Sequence, residues 1–469
     1  MGGTQRDSKL RSTVDSRCHR RAFLFGAGVT LAGTAGCIGT DGNDPGETDN
    51  STDATDDGAE YAAGSGPAEV IAWNRELFDI IRFTNETPTE TVRRLGILTT
   101  AMFDAATTVT AARGQSHYEP YGSYDGAPAD GSPLAALGGA AHEALGAMYP
   151  ELGDGLDNRL SGTLAVAEGS DGDVDAGEQW GRSVGQQAVQ RRADDGHDQP
   201  GGEYEPCPDA PTGTPGCWGG GSLGTWRDSH YALLDTWVLD EPVTFDGPPP
   251  LDSGAYTEGW QEVYDIGDDR NRSERPQEHI DIARYWRGGA GTTRPSGRWL
   301  RIANIAVGSG EFDLTALETA RLMALVALAV GDAGISGWHG KHEHDFWRPA
   351  EAIAAGDTDG NPDTFADTDW ESIAIGSSPE YPSSLAAFAG AGQTVLERVL
   401  GTDDFAFEMT SSGPPELTRS FESFSEAAAE SVQSRLYVGN HFPFSLADGR
   451  TAGETIGETV LDSVLRPVG

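Results

Sequence analysis

A long apolar segment, Leu314–Ile335, most constrains what this chain can fold into. Apolar residues occupy nearly every side of it at helical spacing, so as a helix it belongs in the interior and not on a surface. Asp313 precedes the segment, and Thr315 and Glu318 have the spacing of a capping box, which predicts where the helix begins. A helix that is apolar all round needs other helices to cover it. The segment therefore predicts a central helix within a larger bundle.

Other segments repeat apolar residues at helical spacing, and no convincing alternating strand is found. The region from Gly196 to Pro250 is rich in Gly, Pro and Trp and predicts a long covering loop. The pattern predicts a single all-α, helical-bundle domain over residues 67–469. Its further helical segments are Val70–Phe83, Val92–Val109, Leu134–Met148, Ala283–Val307 (broken by a turn at Gly288–Gly297), Ala386–Leu400, Ser425–Tyr437 and Ala447–Leu465.

Residues 1–36 are typical of an export signal. Arg20-Arg21 opens a twin-arginine pattern, and the apolar stretch Phe23–Gly36 is shorter than the roughly 20 residues that a membrane-spanning helix needs. The tetrapeptide ending at Cys37 resembles a lipobox, which predicts that Cys37 becomes the lipidated first residue of the mature protein. A plain cleaved secretory signal is the alternative.

The segment 37–66 that follows is acidic and rich in Gly, Thr, Ser and Asp, and it predicts a solvated linker. Together with the signal, it predicts a protein exported by the twin-arginine route and lipid-anchored at the extracellular face of the cell membrane. Only Cys207 and Cys217 remain in the mature domain, and outside the cell they are expected to form a disulfide that closes their Pro/Gly-rich loop.

The chain is strongly acidic, with 74 Asp and Glu against 32 Lys and Arg and a formal net charge of −42. Such a charge repels nucleic acid and anionic lipid, so we expect small-molecule substrates, no nucleic acid, and membrane contact only through the lipid at Cys37. The hydrophobic fraction of 37% supports a sizeable core, so the acidity is interpreted as a halophilic surface. Apart from Lys9 in the signal, Lys341 is the only lysine. Its retention against this background indicates a local role.

Three short elements near the C-terminus carry the chemistry. Lys341 and Arg348 are seven residues apart, so both would project from one face if this stretch is helical. The segment Pro379–Leu385 leads into a predicted helix, whose N-terminal N–H groups suit an anion. Arg435 and His441 add a cation and an imidazole at the end of another helix. Two arginines, a lysine, a helix N-terminus and an imidazole form a set that binds an oxyanion.

The order and spacing of these elements resemble a known superfamily. Vanadium-dependent haloperoxidases and type 2 phosphatidic-acid phosphatases share the pattern K-x6-RP, then PSGH, then SR-x5-H. This chain has the first at Lys341–Pro349 and the last at Ser434–His441, with both spacings intact. The resemblance implies an all-α helical bundle of the vanadium haloperoxidase and acid phosphatase type. Further similar segments are Ile282–Trp286, Asp332–Ile335, Phe346–Pro349, Pro379–Ser383 and Thr418–Phe421.

The resemblance also implies a cofactor and a role for each matching residue. The cofactor would be vanadate, or phosphate in the same pocket, and the reaction would be oxidation of halide by hydrogen peroxide. His441 would be the axial vanadium ligand, or the nucleophile of a phosphatase. The oxyanion-binding residues would be Lys341, Arg348, Arg435, the hydroxyl of Ser383 and the backbone N–H of Ser384, together with His441.

The second motif departs from the family pattern. PSGH has become Pro382-Ser383-Ser384-Leu385, so the acid–base histidine is replaced by Leu385 and the side chain of Ser384 is expected to crowd the anion. Because general acid–base steps contribute about 10²–10⁴-fold in rate, we expect altered activity. Ser445 stands where phosphatases often carry an aspartate that orients the histidine, and Asp448 is the alternative partner.

Several alternatives remain open at this point. The chain is either a haloperoxidase-like enzyme, a phosphomonoesterase with His441 as nucleophile, or a non-catalytic binder of phosphate or vanadate. A histidine from the cluster His339, His342 and His344 is a possible substitute for the missing acid, and the same cluster suggests a zinc hydrolase as a minor alternative.

Overall fold

The computed structural model describes residues 66–198, 214–220, 226, 228–270, 275–413 and 416–468. Within them lie thirteen α-helices and one two-stranded sheet, so the predicted all-α class is confirmed. The predicted signal, Cys37 and nearly all of the linker lie outside the described residues, as does Cys207. The helices are α1 Gly66–Thr84, α2 Pro88–Ala112, α3 Pro133–Met148, α4 Gly153–Ala165, α5 Asp171–Arg191, α6 Gly254–Gly267, α7 Gln277–Tyr285, α8 Arg294–Gly308, α9 Ala316–His344, α10 Pro349–Ala354, α11 Ser384–Leu400, α12 Phe424–Tyr437 and α13 Pro443–Ser463.

The predicted central helix is α9. Thr315 is its N-cap and forms the expected reciprocal capping box with Glu318, while Asp345 closes its other end. Helices α1, α2, α8, α11 and α13 pack around it, because its apolar residues face in every direction. Both α2 and α9 are long and apolar enough to cross a membrane by composition, but most of each is buried inside the protein. They are therefore accounted for as core helices.

A β-hairpin lies between α11 and α12, where no strand was expected. Strand β1 (Asp404–Thr410) pairs antiparallel with β2 (Thr418–Ser423). Phe405, Phe407 and Met409 are buried, while the residues between them are exposed. Apolar and polar residues do alternate along β1 in the sequence, but over only seven residues. So short an alternation is a weaker signal than the long helical patterns on either side.

The close packing of α13 against α11 brings two helix N-termini to one place. A Cβ atom on Gly453 would lie 2.1 Å from the carbonyl oxygen of Ala387, and one on Gly449 would lie 2.4 Å from that of Ser383. Only glycine permits so close an approach of the two backbones. The backbone N–H of Ser383 also donates to the carbonyl of Ser445, at 3.2 Å. The second and third sequence motifs are thereby placed side by side.

The predicted covering loop is held on α9 by a buried carboxylate. Asp332 accepts hydrogen bonds from the backbone N–H groups of Trp237, Val238 and Leu239, at 2.6, 2.9 and 3.0 Å. Cys217 is disulfide-bonded, and it forms an isolated β-bridge with Phe346. The pairing of Cys217 with Cys207 remains a prediction.

Candidate functional site

Lys341 and Arg348 approach the same site from two different elements. Helix α9 ends at His344, and Asp345 adopts the left-handed conformation with φ 44°. Arg348 then serves as the N-cap residue of α10. The condition for a shared helix face, that the whole stretch is helical, is therefore not met, because α9 ends at His344 between the two cations. Asp tolerates the left-handed region better than most residues, which allows the helix to end there.

The ammonium group of Lys341 is buried and bound to backbone carbonyls. Its Nζ donates to the carbonyl oxygens of Pro379 and Glu380, at 2.8 and 2.7 Å. Burial lowers the pKa of Lys341 well below its ordinary value, and the neighbouring Arg348 lowers it further. A negative ligand close to Lys341 would oppose both effects.

Arg348, which belongs to the first sequence motif, forms hydrogen bonds with groups at the second and third motifs. Its Nε donates to the carbonyl oxygen of Ser378 at 2.9 Å, and its Nη2 donates to Ser378 Oγ and to the Pro379 carbonyl, each at 3.1 Å. Its Nη1 donates to the carbonyl oxygen of Asn440 at 2.9 Å and lies 3.0 Å from His441 Nε2. The planar guanidinium thus fixes the second motif relative to the histidine.

The imidazole of His441 is buried between an acceptor and a donor. Its Nδ1 lies 2.8 Å from Glu380 Oε1, which also accepts from the backbone N–H of Phe442 at 3.0 Å. With a carboxylate on Nδ1 and Arg348 donating to Nε2, the hydrogen-bond network assigns the proton to Nδ1. Burial lowers the pKa of His441 well below 6.5, and Arg348, Lys341 and Arg435 lower it further. The imidazole is therefore neutral, with its Nε2 lone pair directed at the cations.

Glu380 is a site residue that the sequence interpretation missed. Asp448, considered there as a partner for His441, instead accepts from the hydroxyl of Tyr381 at 2.6 Å, and Ser445 Oγ stands 3.5 Å from Nδ1. Glu380 is fully buried, and burial raises its pKa to about 7 although Arg348 and Lys341 oppose the shift. The signal that the sequence offered for this residue was a glutamate flanked by Pro379 and Tyr381 within the second motif.

The second motif forms the N-terminus of α11, as expected. Ser383 is the N-cap residue, and its Oγ accepts from the backbone N–H of Ala386 at 3.4 Å. The buried Oγ of Ser384 has no hydrogen-bond partner among the residues that the structure describes, and it lies against α9, 2.6 Å from where a Cβ on Gly337 would stand. The side chain expected to crowd the anion thus occupies the space beside Gly337. Leu385 is half-buried and has no group that transfers a proton.

Arg435 completes the set of cations at the end of α12. It is only 5% exposed, and no hydrogen bond of its guanidinium is found among the described residues. Burial lowers its pKa, and so do Arg348, Arg298 and Arg287. Lys341, Arg348 and Arg435 all lower the pKa of His441, whereas the buried carboxylate of Glu380 acts on Lys341 and Arg348, so the positive charge around His441 favours an anion.

The neighbouring histidines of α9 have other contacts. His344 Nε2 lies 3.2 Å from the carbonyl oxygen of Phe245, and the His342 ring lies 6.1 Å from that of Trp226. No group of three or more His, Cys, Asp or Glu side chains suited to a metal ion is found in the described part of the chain. The zinc alternative has no support there.

The chain is similar to vanadium haloperoxidases in sequence and in fold. The family described as VCPO second helical-bundle domain matches residues 321–469. Vanadium chloroperoxidase from Curvularia inaequalis is 29% identical over 196 residues, which cover 32% of this chain and 30% of that protein. The match thus spans under a third of the length of this relative.

Two solved structures are similar over most of the chain. A bacterial vanadium-dependent iodoperoxidase superposes with a TM-score of 0.69 at 22% identity, covering 86% of this chain and 97% of that one. A bacterial vanadium-dependent chloroperoxidase in its holo form gives a TM-score of 0.61 at 17% identity, covering 81% and 94%. At these identities the similarity establishes the fold.

Proposed function

The chain belongs to the vanadium haloperoxidase superfamily, and from that premise we propose that it is a vanadate-dependent, haloperoxidase-like protein that oxidises halide with hydrogen peroxide. The observation that carries the proposal is the state of His441. Its Nδ1 is bound to Glu380, and its neutral Nε2 faces Arg348, with Lys341 and Arg435 nearby. A carboxylate on Nδ1 suits a metal-ligating imidazole, whose second nitrogen usually donates to a carboxylate, a backbone carbonyl or water.

The residues present fit an oxyanion such as vanadate. Among the described residues the buried guanidinium of Arg435 has no hydrogen-bond acceptor, and Lys341, Arg348 and Arg435 all act on the buried His441. Arg348 Nη1 now donates to His441 Nε2, so ligation through Nε2 requires this hydrogen bond to give way. Lys341, Arg348, Arg435, the Ser383 hydroxyl and the Ser384 backbone N–H would then bind the oxygens.

Bound vanadate supplies a Lewis-acidic centre that activates peroxide without a change in oxidation state. The protein's part is to neutralise the oxyanion with Lys341, Arg348 and Arg435, and to hold the imidazole of His441 through Glu380 with its proton on Nδ1. Proton transfer is the step of the reaction for which this site lacks the family's residue, because Leu385 has no titratable group. We therefore propose altered activity, with a rate penalty of the order of 10²–10⁴-fold for the missing acid–base group.

Bromination of a phenolic dye tests this function. The purified domain is incubated with vanadate, hydrogen peroxide and bromide, and His441→Ala serves as the matched control. We expect vanadate-dependent dye bromination that is lost in His441→Ala. Turnover equal to that of a protein-free mixture would refute the enzymatic part of the proposal.

A second candidate, a phosphomonoesterase, is favoured by the same neutral His441, whose Nε2 lone pair also suits a nucleophile. It predicts hydrolysis of activated aryl phosphates and almost none of alkyl phosphates, because Leu385 cannot protonate a poor leaving group. Equal rates on both substrates would contradict it.

A third candidate, a non-catalytic binder of phosphate or vanadate, is favoured by Leu385 together with the intact cations. Calorimetric titration with vanadate and with phosphate tests it. Binding that depends on His441, without turnover in either assay, is the expected result for this candidate.

We also propose the export and anchoring predicted from residues 1–66. Palmitate labelling of the expressed full chain should mark wild type, and Cys37→Ala should lose the label and appear in the medium. Replacing Arg20-Arg21 with lysines should retain the protein inside the cell. Normal export of that variant would contradict the twin-arginine route.

A further inference from the structure

The disulfide-bonded Cys217 lies at the centre of a short backbone pairing. The backbone N–H of Trp218 donates to the carbonyl oxygen of Asp345 at 2.9 Å, and that of Trp347 donates to the carbonyl oxygen of Gly216 at 3.1 Å. These two hydrogen bonds flank the β-bridge that Cys217 forms. The segment is therefore attached, on both sides of its disulfide, to the connection between α9 and α10.

Glu351 joins the same segment to Arg348. Its Oε1 accepts from the backbone N–H of Gly219 at 3.1 Å, and its Oε2 accepts from the backbone N–H of Arg348 at 2.9 Å. Burial lowers the pKa of Arg348 to about 10, and the carboxylates of Glu380 and Glu351 oppose that shift. Glu351 thus acts on Arg348 through a hydrogen bond and through its charge, although it does not reach the imidazole of His441.

The connection between α9 and α10 is also bound to the second motif. The backbone N–H of Glu380 donates to the carbonyl oxygen of Phe346 at 2.8 Å, and Phe346 is the residue that pairs with Cys217. Glu380 in turn holds Nδ1 of His441 at 2.8 Å. A contiguous series of backbone pairings and hydrogen bonds therefore leads from Cys217 to His441, and such series carry energetic coupling between distant groups.

The segment Gly216–Gly219 has little regular structure with which to hold its own shape. Residues 214–220 contain only a turn and the β-bridge. A covalent cross-link reduces the number of conformations open to such a segment. We therefore expect its pairing with the α9–α10 connection to depend on the disulfide at Cys217.

We propose that Glu351 is a positioning residue of the oxyanion site, which fastens the disulfide-bonded segment Gly216–Gly219 to Arg348 and so fixes Arg348 and Glu380 for anion binding. Gly216–Gly219 and Glu351 are together called the brace. The inference rests on the proposed function, because the site that the brace positions is the oxyanion site assigned there. Opening the brace should lower the affinity for an oxyanion while every cation and His441 remain present.

Calorimetric titration of the purified protein with vanadate and with inorganic phosphate tests the brace. We expect Glu351→Ala to bind each anion about tenfold or more weakly, as groups that orient a ligand from outside typically do. Glu351→Gln should recover part of the affinity, because glutamine retains one acceptor oxygen. Glu458→Gln is the control, since it removes an exposed carboxylate that pairs with Arg398 near the far ends of α11 and α13. Affinities in Glu351→Ala equal to those of wild type would overturn the proposal.

The disulfide and Glu351 should act on the affinity as one unit. We expect Cys217→Ser to weaken anion binding about as much as Glu351→Ala, and the double variant to lose little more than either single variant. Losses that multiply in the double variant would show that the two residues act independently, and this would contradict a shared brace.

Hydrogen exchange keeps the test decisive if these variants fold poorly, because it uses wild type alone. Dithiothreitol reduces the disulfide: the S–S bond takes up two electrons and two protons, and the reagent is oxidised to its own cyclic disulfide. We expect faster amide exchange at Trp347 and Glu380 after reduction, and a broader proton signal from Nδ1–H of His441. A general loss of stability would not single out these groups. Unchanged exchange and an unchanged His441 signal in the reduced protein would refute the brace.

The outcomes also separate the brace from the proposed function. Vanadate-dependent bromination together with equal anion affinities in wild type and Glu351→Ala would refute the brace alone. Phosphate binding that weakens in Glu351→Ala, in a protein that never brominates the dye, would support the brace and refute the haloperoxidase activity. A wild type that binds neither anion would refute the oxyanion site and the brace with it.

Discussion

Glu380 Oε1 lies 2.8 Å from Nδ1 of His441, although the two residues are 61 positions apart in the chain. The same oxygen accepts from the backbone N–H of Phe442, so one carboxylate fixes both the ring and the peptide that carries it. Ser445 occupies the position where related phosphatases often have an aspartate. Glu380 therefore has the orienting role that this aspartate would have, and it approaches the same nitrogen, Nδ1, that lies 3.5 Å from Ser445 Oγ.

Replacing Glu380 should weaken oxyanion binding without removing any residue that contacts the anion. Groups that hydrogen-bond to metal-ligating histidines typically contribute about 10–100-fold in affinity, so we expect a loss of vanadate affinity of this size in Glu380→Ala. The loss should be smaller in Glu380→Gln, because glutamine retains an acceptor oxygen. Calorimetric titration with vanadate measures the affinity of each variant. Asp448→Asn, which affects only the acceptor of Tyr381, is the control, and an equal loss there would argue against the positioning role.

Restoring the family motif should restore proton transfer. In the double variant Leu385→His, Ser384→Gly, we expect bromination or phosphatase turnover to rise by about 10²–10⁴-fold over wild type. Parallel assays of both activities identify the ancestral chemistry. The single variant Ser384→Gly is the control. A similar gain in turnover in this variant would show that Ser384, and not Leu385, limits the activity of wild type.

Gly337 and Ser384 should be energetically coupled. A Cβ on Gly337 would meet Ser384 Oγ at 2.6 Å, so Gly337→Ala should destabilise wild type by about 1 kcal/mol or more. In a Ser384→Gly background the same change should cost little or stabilise, because the space is free and alanine favours the helix. Chemical denaturation of the four proteins measures this coupling, and strictly additive effects would refute it.

The imidazole of His441 should stay neutral in mildly acidic solution. An ordinary histidine with a pKa near 6.5 is mostly protonated at about pH 5.5. Burial and three cations lower the pKa of His441, so its proton is taken up only at lower pH. Nitrogen NMR of histidine-labelled protein should detect the Nδ1–H tautomer at pH 5.5, and an imidazolium spectrum for His441 at that pH would contradict the electrostatics described above.

Local patterns were sufficient for the parts of the site that lie within single elements. The capping box at Thr315, the helix N-terminus after the second motif and the position of His441 just past α12 all follow from sequence spacing. Whether Lys341 and Arg348 share a helix face depended on where a helix ends. A left-handed residue at Asp345 decides that point, and its preference is too weak to identify from one sequence.

The sequence by itself determined the helical class, the central helix and the set of cations and imidazole, because residue type and periodicity encode them directly. Only the tertiary structure decided the partners: Glu380 for His441, Tyr381 for Asp448, and Gly337 for the side chain of Ser384. These pairs join residues far apart in the chain, and their contacts are set by how α9, α11, α12 and α13 pack. Packing depends on the shapes of all the helices together, which no local pattern contains.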